Sequence, residues 1–314
     1  MKSKLGYTLA MVVLSGLLTF TGCKKKKEYK SEDGQTSIDN RTTQSENDNT
    51  VNDANTAIAR YVSLSGNSSV TSNTICGLVI DTNGLYLGKI TLNYTGVTCN
   101  NRTRTGTIKL AILNHSAGVK WKTAGAVLQV DYISYKVTRA SDGKSLEFNG
   151  TQFVTNKSGG TWVDLYLGQP SLITEITGND LHVSFDGSSG GTAIYNINRR
   201  FTYTLPGGIL TCTGEGIGSN NGRDNLENYG TTRDGDTFTS QVTTPIVWNL
   251  TCGWWAPVQG AADIKVDNKA FDLKVTFAVD LSGNVVTVTP NNCAYGFKVE
   301  WTYNKKTTKK VFGY

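Results

Sequence analysis

The sequence predicts a mainly β protein: an antiparallel meander forming a large twisted sheet or an open, barrel-like one, with one short helix behind a disordered N-terminal tether. Three observations carry this. Apolar and polar residues alternate with period two in LGKITLNY (87–94), TGTIKLAIL (105–113), VLQVDYISYKV (127–137) and DLKVTFAV (272–279). Turn signals punctuate these runs at Thr82-Asn83-Gly84, Ser141-Asp142-Gly143, Ser188-Ser189-Gly190-Gly191 and Ser282-Gly283-Asn284. Charged residues are only 18% of the chain, with 34 Gly against 5 Pro and 2 Met, a bias toward strands and turns and away from helices.

The N-terminus reads as an export signal, assigned to residues 1–22. Lys2 and Lys4 precede an uncharged apolar run from Leu5 to Phe20, which closes on Thr21-Gly22-Cys23. The run is shorter than the roughly 18–20 residues of a spanning helix. A cysteine after small residues is the acceptor of a diacylglyceryl group, so Cys23 is the expected lipidation site, although Phe20 stands where Leu is usual. Acyl chains there would hold the chain to a membrane at about 0.8 kcal/mol per buried methylene. Lys24, Lys25, Lys26 and Lys27 follow, each adding about 1 kcal/mol against anionic headgroups. Lys24 is not the Asp that retains lipoproteins in the inner membrane, so the expected location is the outer membrane of the cell envelope.

Residues 23–50 contain almost no large apolar side chain and are read as a lipidated flexible tether. Between Val51 and Ser63, Ala54, Ala57, Ile58 and Tyr61 recur at helical spacing behind Asn52-Asp53, which predicts the short helix. The body then divides into the helix with a first β region (51–205) and a second β region (206–314). The two share a sheet across a weak break at Pro206-Gly207-Gly208, and a Gly/Asn-rich stretch runs to Gly235 before strands resume at Phe238.

Charge excludes a polyanionic partner for the body. The chain has 31 Lys+Arg against 25 Asp+Glu, and loss of Lys2 and Lys4 leaves 29 against 25, or +4, of which four positives sit at Lys24–Lys27. The export signal also disfavours nucleic acid. Beyond Cys23 there are five cysteines in a disulfide-permissive compartment, so one thiol stays unpaired. Cys76 and Cys99 flank neighbouring strand patterns, whereas Cys252 has both Cys293 and Cys212 as partners in prospect.

No constellation points firmly to catalysis, and no cofactor or metal is expected. Of the two histidines, His182 lies in an alternating strand and His115 in a turn; neither pattern supplies the partners of a Ser-His-Asp or zinc site. The acidic stretch Arg223-Asp224-Asn225-Leu226-Glu227, with Arg233-Asp234-Gly235-Asp236, reads as a solvated turn neutralised by its own arginines. Gly214-Glu215-Gly216-Ile217-Gly218 lacks the βαβ context of a phosphate loop and reads as a turn or bulge. Trp254-Trp255 offers adjacent indoles that stack on sugars when exposed or pack around a disulfide when buried.

One resemblance follows from motifs. Tyr94-Thr95-Gly96 to Cys99, then Asn101-Arg102, Arg104, Gly106 and Ile108, resembles a Bacteroidota outer-membrane lipoprotein family of unknown function, with an aromatic-Gly-x-x-Cys segment followed by Asp-Gly-Arg-x-Arg-x-Gly-Lys-Ile. Asn100-Asn101 replaces the Asp-Gly turn. Arg199-Arg200 before a strand, Leu250-Thr251-Cys252, Gly260-Ala261-Ala262-Asp263-Ile264 and Asn292-Cys293 also fit, over about residues 73–302. The resemblance implies a β-rich envelope protein with Cys76–Cys99 and Cys252–Cys293 bridges and Cys212 as a buried, free thiol. The functions carried forward are a non-enzymatic structural or binding role, a carrier of a lipid or other apolar ligand in a β cup, and glycan binding through Trp254 and Trp255.

Overall fold

The period-two runs become strands of one antiparallel sheet. The computed structural model describes residues 35–66, 75–253, 256–267, 272–289, 292–303 and 306–314, so Cys23, Lys24–Lys27, Trp254 and Trp255 lie outside the described residues. The chain enters through helix α1 (Gln35–Ala59) and the short α2 (Val62–Ser65). Strands β1 (Leu78–Asp81), β2 (Lys89–Cys99), β3 (Arg102–Ile112), β4 (Ala126–Arg139) and β5 (Ser145–Asn156) follow, then helix α3 (Trp162–Tyr166). Next come β6 (Leu172–Phe185), β7 (Thr192–Thr204), β8 (Thr211–Gly216), β9 (Gly218–Asn220), β10 (Arg223–Thr231) and β11 (Thr237–Asn249). Last are β12 (Gln259–Val266), β13 (Asp272–Val279), β14 (Gly296–Tyr303) and β15 (Lys306–Gly313).

Sequential hairpins give the order β1 to β7, then β10 to β15, in a 15-stranded sheet. The lane between β7 and β11 is shared. β10 pairs with both at one end, through Asn228↔Ile197 and Thr231↔Thr237, and β8 pairs with both at the other, through Thr204↔Thr211 and Asn249↔Thr211. The sheet therefore runs unbroken past Pro206–Gly208, and the Gly/Asn-rich stretch before Gly235 forms β8, β9 and β10 where the sequence suggested a break. Arg199 and Arg200 likewise lie inside β7 and not before it.

Two ends can be told apart. Short turns join β2 to β3, β4 to β5, β6 to β7 and β10 to β11 at one end, here the turn end. Longer connections join β3 to β4, β5 to β6, β11 to β12 and β13 to β14 at the other, the loop end. A row of register slips crosses β2 to β7 between Thr95 and Thr98, Thr105 and Thr107, Tyr132 and Tyr135, Asn149 and Gln152, and Gly178 and Leu181. Bulges aligned in this way bend a sheet. Gly106 is required in that row, because at φ +91° a Cβ there would stand 2.1 Å from the Ser134 carbonyl oxygen.

The sheet's inner face is apolar and aromatic. In β4, Leu128, Val130, Tyr132, Tyr135 and Val137 are buried, while Gln129 and Asp131 point outward and hydrogen-bond at 2.9 Å. Tyr94, Tyr132, Tyr135 and Phe148 form a ring cluster with centroids 4.9–6.0 Å apart. A single helix touches strands from β2 to β13, with Asp53 against Tyr94 and Arg41 4.5 Å over Phe277, so the sheet curls around α1.

That helix corrects the sequence reading. It begins at Gln35, where Val51 was expected, so residues 35–50 are helix and not flexible tether. No apolar stripe announces it, since Thr36, Ser37, Asp39, Asn40, Thr43, Gln44, Glu46, Asn47 and Thr50 are its buried side chains up to residue 50. Its stability comes from tertiary partners and not from local propensity.

Candidate functional site

The most elaborated chemistry in the molecule is the contact between α1 and the sheet's inner face. Helical spacing turns successive side chains of α1 toward different strands. From its N-terminal end, Asp39 meets Arg233 of the β10–β11 turn at 2.5 Å, and Asn40 donates to the Ser240 hydroxyl of β11 at 3.1 Å. Glu46 pairs with Arg102 of β3 at 2.5 Å. Asn47 donates to Gln152 of β5 at 2.8 Å and to the Tyr132 hydroxyl at 3.0 Å, and accepts from Arg199 of β7 at 2.5 Å. Asp48 completes the group by pairing with Arg199 at 2.8 Å. Toward the C-terminal end, Asp53 accepts from the Tyr94 hydroxyl at 2.9 Å and from Arg104 at 2.7 Å.

Arg199 is the centre of this arrangement. Its neighbours two positions away on the same face, Ile197 and Phe201, are buried, and Arg199 itself is only 4% exposed. A guanidinium at such depth needs charge partners and planar acceptors. Asp48, Asn47 and the Phe201 ring, 5.4 Å below the guanidinium carbon, supply them. Burial is the largest influence on the Asp39, Asp48 and Asp53 carboxyls and raises all three, against the pull of Arg233, Arg199 and Arg104. Ser37 Oγ, Asn40 Oδ1, Gln44 Nε2 and Asn228 Oδ1 are buried without a hydrogen-bond partner among the described residues. The contact is thus polar, directional and incompletely satisfied.

Several residues singled out in the sequence fall here, in places not foreseen. The acidic stretch from Arg223 is not a solvated turn. It forms β10, with Leu226 in the core and Glu227 only 4% exposed and accepting from the Ser240 hydroxyl at 2.7 Å. Arg233 pairs with Asp39 across the fold. Gly214 and Gly216 lie in β8, where a Cβ would stand 2.8 Å from the Trp248 ring and 2.1 Å from the Asn225 carbonyl oxygen, so these glycines mark close approaches within the sheet.

The cysteines pair as the family resemblance implied: Cys76 with Cys99 and Cys252 with Cys293. Cys212 is free and buried, and burial raises its thiol pKa well above the ordinary value, which leaves it a poor nucleophile. His182 is exposed on the outer face of β6, on the side of the sheet away from α1. His115 sits at the loop end, with its Nε2 2.9 Å from the Ser63 carbonyl oxygen and 3.3 Å from Lys120 Nζ. Among the described residues, no three of His, Cys, Asp and Glu converge as metal ligands would.

Searches of protein-family models, curated proteins and solved structures find no match to this chain. Its functional reading therefore rests on its own residues.

Proposed function

We propose that this protein is a lipid-anchored lipoprotein of the bacterial envelope, held at the outer membrane by acyl chains on Cys23 and by Lys24–Lys27, whose β body has a non-enzymatic structural or binding role. The main support is the way the chain leaves the anchor. Soon after the lysine run it becomes α1, which is clasped on several sides by ion pairs to β3, β7 and the β10–β11 turn and by an amide hydrogen bond to β5. An anchor joined to such a helix is joined to the whole sheet. The cysteine signal sequence supports the location, and the two disulfides suit an oxidising compartment.

The test is metabolic labelling of cells with an alkyne fatty acid, followed by membrane fractionation. The wild-type chain is expected to take the label and sediment with outer membranes, and Cys23→Ala is expected to lose both. A Cys23→Ala chain that still labels and sediments would overturn the anchor. Turnover of any member of a glycan, peptide and ester panel by the purified protein would overturn the non-enzymatic role.

A second reading, a carrier within the β cup, has one observation in its favour. Although α1 fills most of the inner face, a cavity of about 160 Å3 remains beside the helix's first turns.

A further inference from the structure

The cavity lies beside the first turns of α1 at the turn end, where Asp39–Arg233 and Asn40–Ser240 hold the helix to the β10–β11 hairpin. Its other wall belongs to β4, β5 and β6. There Val137, Leu146 and Phe185 present buried apolar side chains from three neighbouring strands, and Ile38 of α1 faces them across the gap. Its volume of about 160 Å3 is room for a benzene-sized group, or a short length of acyl chain, beside these four side chains.

The rim has a different chemistry. Its cations are Arg102, Arg139, Lys144 and Arg233, and its carboxylates are Asp39, Glu46 and Asp186. Asp39 is matched by Arg233 and Glu46 by Arg102, while Asp186 accepts the Ser145 amide at 2.8 Å. Arg139 is held at the mouth by Asp142 at 2.8 Å. Lys144 has no carboxylate within ion-pair distance among the described residues and is exposed beside the opening. The cavity thus joins apolar side chains to a rim on which Lys144 is a cation without an ion-pair partner among the described residues.

We propose that this cavity binds one small amphiphilic anion, its apolar chain on Ile38, Val137, Leu146 and Phe185 and its carboxylate or phosphate at Lys144 and Arg139. This deepens the carrier reading, yet it uses only residues of the β body and α1 and does not depend on the lipid at Cys23. The same chemistry has two sources, a free fatty acid and an anionic membrane lipid.

The experiment is photolabelling of the full chain in cells with a medium-chain diazirine fatty acid, and of the membrane-reconstituted chain with a diazirine phosphatidylglycerol, followed by peptide mapping. Label is expected on the peptides carrying Ile38 and Leu146. Leu146→Trp fills the floor and is expected to cut labelling about tenfold. Because that variant risks misfolding, Arg139→Glu with Lys144→Glu, both exposed, provides the second arm. It is expected to reduce labelling by the acid about tenfold while leaving labelling by the matching uncharged alcohol unchanged. Labelling by the fatty acid alone assigns the free acid, and labelling by the phospholipid alone assigns the membrane lipid. Labelling by neither, label scattered over the surface, or equal labelling of wild type and the charge-reversed variant would overturn the site. Cys23→Ala is expected to label as wild type does; loss of label there would also overturn it, whatever becomes of the anchor.

Discussion

Helix α1 and the β4–β5 hairpin lie face to face, and they are held by different forces. The hairpin presents Leu128, Val130, Tyr132, Tyr135 and Phe148 inward, with every residue of that row almost fully buried. Its cohesion is apolar and tolerant of small displacements, because hydrophobic burial has no direction. The helix presents Asp39, Asn40, Glu46, Asn47 and Asp48, each of which works only if its acceptor or donor stands within about 3 Å. The sheet is therefore the frame and the helix the fitted part. An error in the frame should unfold the molecule, whereas an error in the fit should release the helix and leave the frame standing.

Phe148→Ala tests the frame and carries the largest expected effect. Phe148 is fully buried, with ring centroids 5.7 Å from Tyr132 and 6.0 Å from Tyr135. Its truncation is expected to cost about 4 kcal/mol in global stability, read as a shift in the denaturant midpoint. Tryptophan fluorescence and proteolysis of α1 should report the same transition. Arg199→Met tests the fit. It leaves Asp48 without its cation and Asn47 without one donor, at an expected cost of about 3 kcal/mol. Here the two probes should separate, with α1 becoming protease-sensitive under conditions where the disulfide-tied sheet stays intact. Coincident loss of both in Arg199→Met would erase the distinction between frame and fit.

The same difference explains what could be read from the sequence. Strands β2, β3, β4 and β13 were legible because period-two alternation is local, and so were the turns at Ser141-Asp142-Gly143 and Ser282-Gly283-Asn284. Residues 35–50 have the composition of a disordered segment, since their burial is secured by groups far along the chain: Gln152 and Arg199 lie 105 and 152 residues from Asn47. The signal that could have located the polar group is Arg199 itself. Between Ile197 and Phe201 in an alternating strand, it occupies a core-facing position and demands a buried acid. Glu227 beside Leu226 carried the same message, but the surrounding Asp224, Asn225 and Gly residues made the segment look like a turn. The cavity left no local trace, because it is the space between Ile38 and side chains far along the chain, Val137, Leu146 and Phe185 among them.

The smallest expected effect concerns pH and sharpens the comparison by sign. Burial raises the carboxyls of Asp39, Asp48 and Asp53 on α1 above their unfolded value of 3.8. A raised carboxyl binds its proton more tightly in the folded state, so its contribution to stability falls as pH rises through the folded pKa and is recovered on acidification. On the outer face Glu175 behaves oppositely. Partial burial raises it, but Arg200 and Lys157 outweigh that and bring it below 4.5, so its stabilisation is lost as pH falls through its folded pKa. Acidification toward the folded pKa values of the trio is therefore expected to leave α1 as resistant to protease as before, or more so, because protonation of these carboxyls favours the folded state. Asp39→Asn with Asp48→Asn and Asp53→Asn should flatten that profile. An acid-induced release of α1 in the wild-type chain would show instead that the ion pairs to Arg233, Arg199 and Arg104 outweigh burial, and that the helix is clasped by charge more than by shape.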